Sequence, residues 1–248
     1  MNATESRYVE KKCALPRSLV ERGEASHPGA EFAGEAEWLR CVKEDFPKFI
    51  PFLTKKCGLE FRGRVLEIGA GAAWFSAELS KLPKVVEVTA TDASAKLLKH
   101  QAPKIFKLLK AHETKITRMP ADFGKLDFPN NHFDVVVCAD ALHQATSPLR
   151  VLREVRRVLK PGGQFVAIRE PVRPLVKMKS RGKETKRAGN AGPGYTLAEY
   201  REFFAHAGLA LEVKSVNLAS GFKYYFDEMV NGLTHARYAF VATKRGKV

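Results

Sequence analysis

"RVLEIGAGAAW", residues 64–74, contains the pattern that decides the fold of this chain. The apolar residues of its first half predict a buried strand, and "WFSAELSKL" (74–82) predicts a helix directly after it. Gly69 and Gly71 lie between the two, where glycine permits a tight turn and lets a ligand approach bare backbone. A helix start adds free N–H groups and the positive end of a dipole. The stretch therefore predicts a ligand-binding loop.

An acidic residue after this loop indicates what the ligand contains. Asp92 ends the next predicted strand, "VEVTATD" (86–92), 21 residues after Gly71. A carboxylate at that position can accept hydrogen bonds from both hydroxyls of a ribose. This arrangement fits NAD, FAD or any other adenosine ligand. The alternative is that Asp92 caps the helix predicted over 94–112.

Two further residues help to choose between these ligands. Trp74 stands where a dinucleotide loop has its third glycine, and we expect its bulk to obstruct a diphosphate. Glu67 lies inside the strand just before the loop, where its charge would repel a phosphate and suit a positive amine or sulfonium. The alternative for Glu67 is a structural one, as a partner for backbone N–H groups of the loop.

The rest of the chain alternates strands and helices. Near-continuous apolar strands between helices indicate a parallel sheet covered on both faces, in an α/β, Rossmann-like fold. We expect residues 1–62 to form a helical extension and residues 63–248 the core, with a lid over 172–195 and an insertion over 219–236. Further strands are predicted at 116–122, 133–142, 164–170, 210–218 and 237–245, and further helices at 147–160 and 196–208.

The chain of 248 residues has a net charge of +15, and the excess is uneven. Residues 1–60 carry ten basic and ten acidic side chains, whereas the runs 93–118 and 173–187 each carry seven basic and one acidic. Such runs favour nucleic acid, a membrane surface or an acidic substrate as partner, or are simply solvated faces. The sequence carries no signal for the oligomeric state.

The spacing of the cysteines and the lengths of the apolar runs limit the classes of protein to which this chain can belong. No cysteines form a CxxC pair or have histidine partners at zinc-ligand spacing, so we expect free thiols and no metal site. No apolar run approaches the roughly 20 residues that a membrane span needs. With polar first residues as well, we expect a soluble cytoplasmic protein. The four cysteines are Cys13, Cys41, Cys57 and Cys138.

Several motifs in order carry a family resemblance. "VLEIGAGAAWFSAEL", "VTATDAS" and "MPADFGKLDFPNNHFDVVVCADALHQATSPLRVLREVRRVLKPGGQFVAI" resemble the class I S-adenosylmethionine-dependent methyltransferases, nearest to the ubiquinone/menaquinone-biosynthesis group. The similarity covers roughly residues 60–172. It implies a seven-stranded sheet whose last strand is antiparallel, with S-adenosyl-L-methionine as cofactor and S-adenosyl-L-homocysteine as product.

The resemblance also implies which residues bind the cofactor. The glycine loop would line the methionine end, Asp92 the ribose and Ala93 the adenine. Asp122 would meet the adenine amine, with Phe123 against the ring. The full set of expected cofactor-binding residues is Glu67, Gly69, Ala70, Gly71, Asp92, Ala93, Asp122, Phe123 and Ala139.

Methyl transfer by in-line displacement asks little of the protein beyond alignment, exclusion of water and removal of a proton where the acceptor needs it. His143 and Asp140, at the end of the 133–142 strand, are the candidate catalytic residues. Structural roles are the alternatives for both.

The leading hypothesis for the acceptor is a small molecule, anionic or aromatic. The alternatives are an RNA methyltransferase and a protein that binds the cofactor without transferring methyl. Against RNA, the 133–142 strand ends in "ADAL" rather than in an NPPY-like motif.

Overall fold

The computed structural model of the chain describes residues 7–8, 35–173, 195–216, 218 and 238–246. Within them lies an eight-stranded sheet of order β1-β4-β3-β2-β5-β6-β8-β7, in which β8 runs antiparallel to both neighbours and the other pairs are parallel. The strands are β1 (Arg7–Tyr8), β2 (Gly63–Ile68), β3 (Val85–Asp92), β4 (Ile116–Pro120), β5 (Phe133–Ala139), β6 (Leu159–Ile168), β7 (Ala210–Ser215) and β8 (Tyr238–Thr243).

The predicted α/β fold with seven strands and an antiparallel last strand is confirmed. The eighth, β1, is a two-residue strand paired with the edge strand β4, and the sequence did not predict it. The fifth predicted strand also begins earlier, because β6 starts at Leu159 rather than 164. Its PGG residues pair with the chain after β8, where the Gly162 N–H donates to the Lys244 carbonyl at 2.8 Å.

Helices cover both faces of the sheet. Ser147 caps the longest, accepting a hydrogen bond from the Arg150 N–H, and Thr196 forms a capping box with Glu199 at the start of another. The α-helices are α1 (Glu35–Glu44), α2 (Phe49–Lys55), α3 (Trp74–Ser80), α4 (Ala102–Leu109), α5 (Pro148–Val158) and α6 (Leu197–His206). Shorter helical turns are Phe46–Lys48, Leu97–Gln101, Glu113–Lys115 and Leu142–Gln144.

The N-terminal helices share a core with the sheet. Apolar side chains of α1 and α2 pack in one cluster with α3, α4 and one face of the sheet, while α5 and α6 cover the other face. Trp74 opens α3, and its ring lies 4.6 Å from that of Phe46 and 6.4 Å from that of Phe49. The indole thus belongs to this packing contact, and the expected obstruction of a diphosphate finds no support in the position of the ring.

The carboxyl ends of the parallel strands lie at the same edge of the sheet. β2, β3, β4, β5 and β6 all run the same way, so the residues after them meet at one edge of the sheet. In open α/β sheets this edge is where ligands bind. Among the described residues no helix is long and apolar enough to cross a membrane.

Candidate functional site

The glycine loop after β2 has the backbone shape that the sequence predicted. Gly69 and Gly71 have φ of +63° and +53°, in the left-handed region where a side chain is strained. The Ala70 N–H donates to the Thr91 carbonyl at 2.9 Å, which ties the loop to β3. A Cβ on Gly69 would lie 2.5 Å from the Ala141 Cβ. The loop therefore presents bare backbone and lies directly against the turn after β5.

Asp92 organises this loop from the end of β3. Its Oδ2 accepts the Gly71 N–H at 2.7 Å, and its Oδ1 accepts the Ser94 N–H at 2.7 Å. Burial raises the pKa of Asp92, while these two backbone bonds oppose the shift. The carboxylate thus hydrogen-bonds both the glycine loop and the segment that leads into the next helix. The second bond resembles the predicted alternative, in which Asp92 caps that helix.

Glu67 has a buried structural partner. Its carboxyl oxygen accepts the Ser76 backbone N–H at 2.8 Å and also the Ser76 hydroxyl. The predicted alternative, a partner for backbone N–H groups, is therefore observed, although the group lies in α3 and not in the loop. Burial raises the pKa of Glu67 to about 8, against the bonds from Ser76. The raised pKa favours the neutral form, which weighs against a full negative charge on Glu67 at pH 7.

The end of β4 supplies the residues predicted for the adenine. Asp122 follows the strand, and its Oδ1 accepts the Gly124 N–H at 2.7 Å. Phe123 reaches back to the loop, since its Cε1 lies 3.9 Å from the position of a Cβ on Gly69. Ala93 and Ala139 are half-buried at the ends of their strands. The structure thus gathers the predicted cofactor residues at one edge of the sheet.

The turn after β5 is built around a residue that the sequence analysis did not select, Glu170. Its carboxylate accepts three consecutive backbone N–H groups, from Ala141 at 3.0 Å, Leu142 at 2.9 Å and His143 at 3.0 Å. The same carboxylate lies 2.8 Å from the His143 Nδ1. Both side chains are buried, with 0% and 2% of their surface exposed. His143 is therefore held inside the protein.

The charge state of Glu170 follows from these contacts. Burial disfavours its ionised form, but the hydrogen bond and charge of His143, together with the backbone donors, outweigh it and lower the pKa of Glu170. A usable sequence signal existed, because the acid in "REP" (169–171) ends the strand predicted at 164–170 just as Asp92 ends the strand predicted at 86–92.

Asp140 is the more accessible of the two predicted catalytic residues. It has φ of +57°, unusual for a residue with a side chain, and 32% of its side chain is exposed. Its carboxylate lies 3.9 Å from the His143 Nδ1 and 4.0 Å from an Arg169 guanidinium nitrogen. That guanidinium lies over the Phe46 ring, 4.5 Å from its centre. The N-terminal helical segment thus contacts the residues around the site.

Two predicted segments fall mostly outside the described residues: the lid over 172–195 and the insertion over 219–236. The ends of the lid are described, and they pair with each other. Val172 and Tyr195 form a parallel bridge, and the Arg173 N–H donates to the Tyr195 carbonyl at 2.9 Å. In the described part of the chain there is no cluster of side chains suited to a metal ion, and the cysteines seen there are free.

Comparison with known proteins identifies the central part of the chain. Residues 66–167 match the family described as Methyltransferase domain. Over 118 residues the chain is 34% identical to the ubiquinone/menaquinone biosynthesis C-methyltransferase UbiE of Pseudomonas aeruginosa, a match that covers 47% of this chain and 45% of that protein. The chain therefore spans about half the length of the curated relatives it matches.

Solved structures share the fold. One is phosphoethanolamine N-methyltransferase 2 of Haemonchus contortus in complex with S-adenosyl-L-methionine, at a TM-score of 0.57 and 18% identity, covering 81% of this chain and 53% of that one. Another is the [4+2]-cyclase SpnF, at a TM-score of 0.61 and 17% identity, covering 93% of both chains. Residues 66–167 thus match a methyltransferase-domain family, and the sheet built on them has the fold of these solved structures.

Proposed function

We propose that this protein transfers the methyl group of S-adenosylmethionine to a small-molecule acceptor. The observation that carries the proposal is the convergence of the glycine loop, Asp92 and the 140–143 turn at one sheet edge, where Gly69 and Ala141 touch. The UbiE relative supports a small-molecule acceptor, since its name describes a C-methyltransferase of quinone biosynthesis.

The residues present fit an S-adenosyl group. A Cβ would fill the space at Gly69, so only bare backbone leaves room there. We assign the methionine end of the cofactor to Glu67 and the 69–71 loop, the ribose to Asp92, and the adenine to the side of Asp122. Ala70 belongs to that loop, Ala93 and Phe123 would flank the adenine, and Ala139 would lie along the cofactor.

A bound sulfonium supplies an activated methyl group, and the chain supplies the alignment. The acceptor must reach the methyl in line and lose its proton during or after transfer. His143 and Asp140 are the groups of the chain that we assign to this proton, because both follow β5 beside the glycine loop.

An anionic, partly aromatic acceptor agrees with two further features. The 173–187 run carries seven basic and one acidic residue, and the described start of this segment lies at the same sheet edge as the site. Tyr195, at the other end of the segment, packs edge-on against Phe203 at 5.0 Å and Tyr200 at 5.6 Å. Arg173 and Tyr195 therefore bring one basic and one aromatic residue together at this edge.

Cofactor binding is tested by thermal unfolding with S-adenosylhomocysteine. At a hundred times its dissociation constant a ligand stabilises the native state by about 2.7 kcal/mol. We expect Asp92→Ala to lose most of this gain. The matched control is Asp134→Ala, which removes an aspartate at the opposite end of the sheet, where it accepts the Arg64 N–H at 2.9 Å. If neither S-adenosylmethionine nor its product stabilises the wild type, the proposal fails.

The acceptor is found with S-adenosylmethionine carrying a tritiated methyl group. The protein is incubated with small-molecule, RNA and protein fractions of the source cells, and the label is followed into each. We expect label in the small-molecule fraction. Label in RNA with a steep salt dependence would instead assign the protein to RNA methylation.

A further inference from the structure

We propose that Glu170 is a positioning residue that holds His143 with its proton on Nδ1, so that Nε2 is the nitrogen that takes the acceptor's proton. The inference rests on the proposed methyl transfer. It adds a residue that touches neither cofactor nor acceptor but decides which ring nitrogen is basic.

Glu170 acts only as a hydrogen-bond acceptor. Three backbone N–H groups, from residues 141–143, point at its two oxygens within 3.0 Å. A protonated carboxyl would have to turn one O–H toward these donors or toward the imidazole. The three backbone donors each stabilise the charged form, and the lowered pKa of Glu170 agrees with an ionised carboxylate.

The imidazole of His143 faces this carboxylate. A carboxylate 2.8 Å from Nδ1 accepts a hydrogen bond, so Nδ1 must donate one. In a neutral ring the other nitrogen, Nε2, is then the acceptor. The same logic orients the histidine of serine hydrolases, where the carboxylate partner sets the tautomer and stabilises the imidazolium that forms.

The turn that carries His143 lies beside the glycine loop. The carboxylate that orients His143 also fixes the backbone of the turn, and Ala141 in this turn lies against Gly69 of the cofactor loop. One side chain thus sets the geometry of the turn and the chemistry of the ring it carries.

The proton balance gives the class of acceptor. The sulfur–methyl bond breaks and its electron pair stays on sulfur, which neutralises the sulfonium. A bond forms between the methyl carbon and the acceptor atom, and the proton of that atom passes to Nε2. The acceptor therefore carries an ionisable proton, on oxygen, nitrogen or an acidic carbon.

Other titratable groups surround the pair. The Cys138 Sγ lies 3.7 Å from Glu170 Oε1, Asp140 lies 3.9 Å from Nδ1, and Tyr200 is buried nearby with its hydroxyl 3.4 Å from the Pro171 carbonyl. Burial raises the pKa values of the Cys138 thiol and of the Tyr200 hydroxyl, so both stay neutral at pH 7. Asp140 and Glu170 are the acidic groups that face the ring in the described residues.

The test is the tautomer of His143, measured by long-range proton–nitrogen NMR on 15N-histidine-labelled protein without ligand and assigned with His143→Gln. We expect the neutral ring to carry its proton on Nδ1. In Glu170→Gln we expect the proton to move to Nε2 in much of the population. The matched control is Glu154→Gln, which alters a carboxylate of α5 that accepts the Leu126 N–H at 2.9 Å and has no hydrogen bond or ion pair with His143 in the described part of the chain.

Turnover and binding separate this inference from the proposed function. With labelled S-adenosylmethionine and the small-molecule fraction, we expect Glu170→Gln to lower kcat about 10²-fold or more, with the KM for cofactor within about threefold. S-adenosylhomocysteine binding, measured by calorimetry, should stay near the wild-type value. Failure of the wild type to bind this product would overturn the proposed function, whereas the tautomer would still report on Glu170.

Three results would overturn the role of Glu170. One is a neutral His143 with its proton on Nε2 in the wild type. Another is a tautomer that Glu170→Gln leaves unchanged. The third is a fall in kcat no larger than that of Glu154→Gln, which would leave Glu170 with a structural role alone.

Discussion

Two buried glutamates lie beside the same sheet edge and behave in opposite ways. Glu67, in β2, and Glu170, after β6, are 1% and 4% exposed. Burial raises the pKa of Glu67 to about 8, whereas the pKa of Glu170 lies below its usual range. The difference lies in their partners. Glu67 has the two donors of Ser76 and the negative Asp92 nearby, while Glu170 has three N–H groups and an imidazole.

The comparison shows that the partners, and not burial alone, decide whether a carboxyl inside a protein is charged. The two carboxyls therefore differ in what they can do at the site. Glu170 keeps a fixed charge that can orient a ring, and Glu67 is the carboxyl whose protonation changes near neutral pH.

The largest effect should come from removing each carboxyl in turn. Glu170→Ala leaves a buried imidazole and three N–H groups without their acceptor, and we expect it to lower the free energy of unfolding by about 3–5 kcal/mol. Glu67→Ala frees only the two donors of Ser76 and should cost about 1–3 kcal/mol. Urea unfolding at pH 7 measures both. Equal losses would mean that the two sites do not differ in the way their contacts indicate.

A pair of glycine substitutions should follow in size. Gly69→Ala places a Cβ 2.5 Å from Ala141 at a positive φ, and we expect a loss of about 2–4 kcal/mol. Gly71→Ala has the same backbone strain but open space, since no atom lies within 4 Å of its Cβ, and should cost about 1–2 kcal/mol. Thermal unfolding and S-adenosylhomocysteine calorimetry report both. If Gly71→Ala proves the more harmful, contact with the 140–143 turn is not what limits this loop.

Per pH unit, the smallest effect is the slope of the free energy of unfolding with pH. The folded pKa of Glu67, about 8, lies above its usual value of 4.5, so its proton stabilises the fold fully below pH 4.5. That contribution is lost as the pH rises toward 8, with a slope of at most about 1.4 kcal/mol per pH unit. Glu170 has a lowered pKa, so its contribution is present above 4.5 and changes only in more acidic solution.

Urea unfolding from pH 5 to 8 measures this slope. We expect Glu67→Gln to flatten it, because the amide does not titrate. Glu154→Gln serves as control, since that glutamate has a lowered pKa and should leave the slope in place. A wild-type slope that Glu67→Gln leaves unchanged would assign the titration to another group.

The sequence was sufficient where a local pattern carried the information. The strand–glycine–helix pattern around Gly69 predicted the loop, and the acid at Asp92 was placed correctly at the end of the next strand, because each signal is local. The hydrogen bond from the Gly71 N–H to Asp92 was not predicted. The packing of Trp74 on Phe46 and Phe49 was not predicted, since these partners lie 28 and 25 residues earlier in the chain. Glu170 was missed because its partners lie 27–29 residues away, and no periodicity links them.

Phe46 lies outside the site but contacts residues next to both the glycine loop and Asp140. Its ring contacts Trp74, which begins the helix after the glycine loop, and lies under the guanidinium of Arg169, which lies beside Asp140. Because linkage between two equilibria is reciprocal, a ligand that stiffens the loop must also stabilise the packing of residues 46–53. Amide hydrogens of α2 should therefore exchange more slowly when the site is filled, although no atom of that helix needs to meet the ligand.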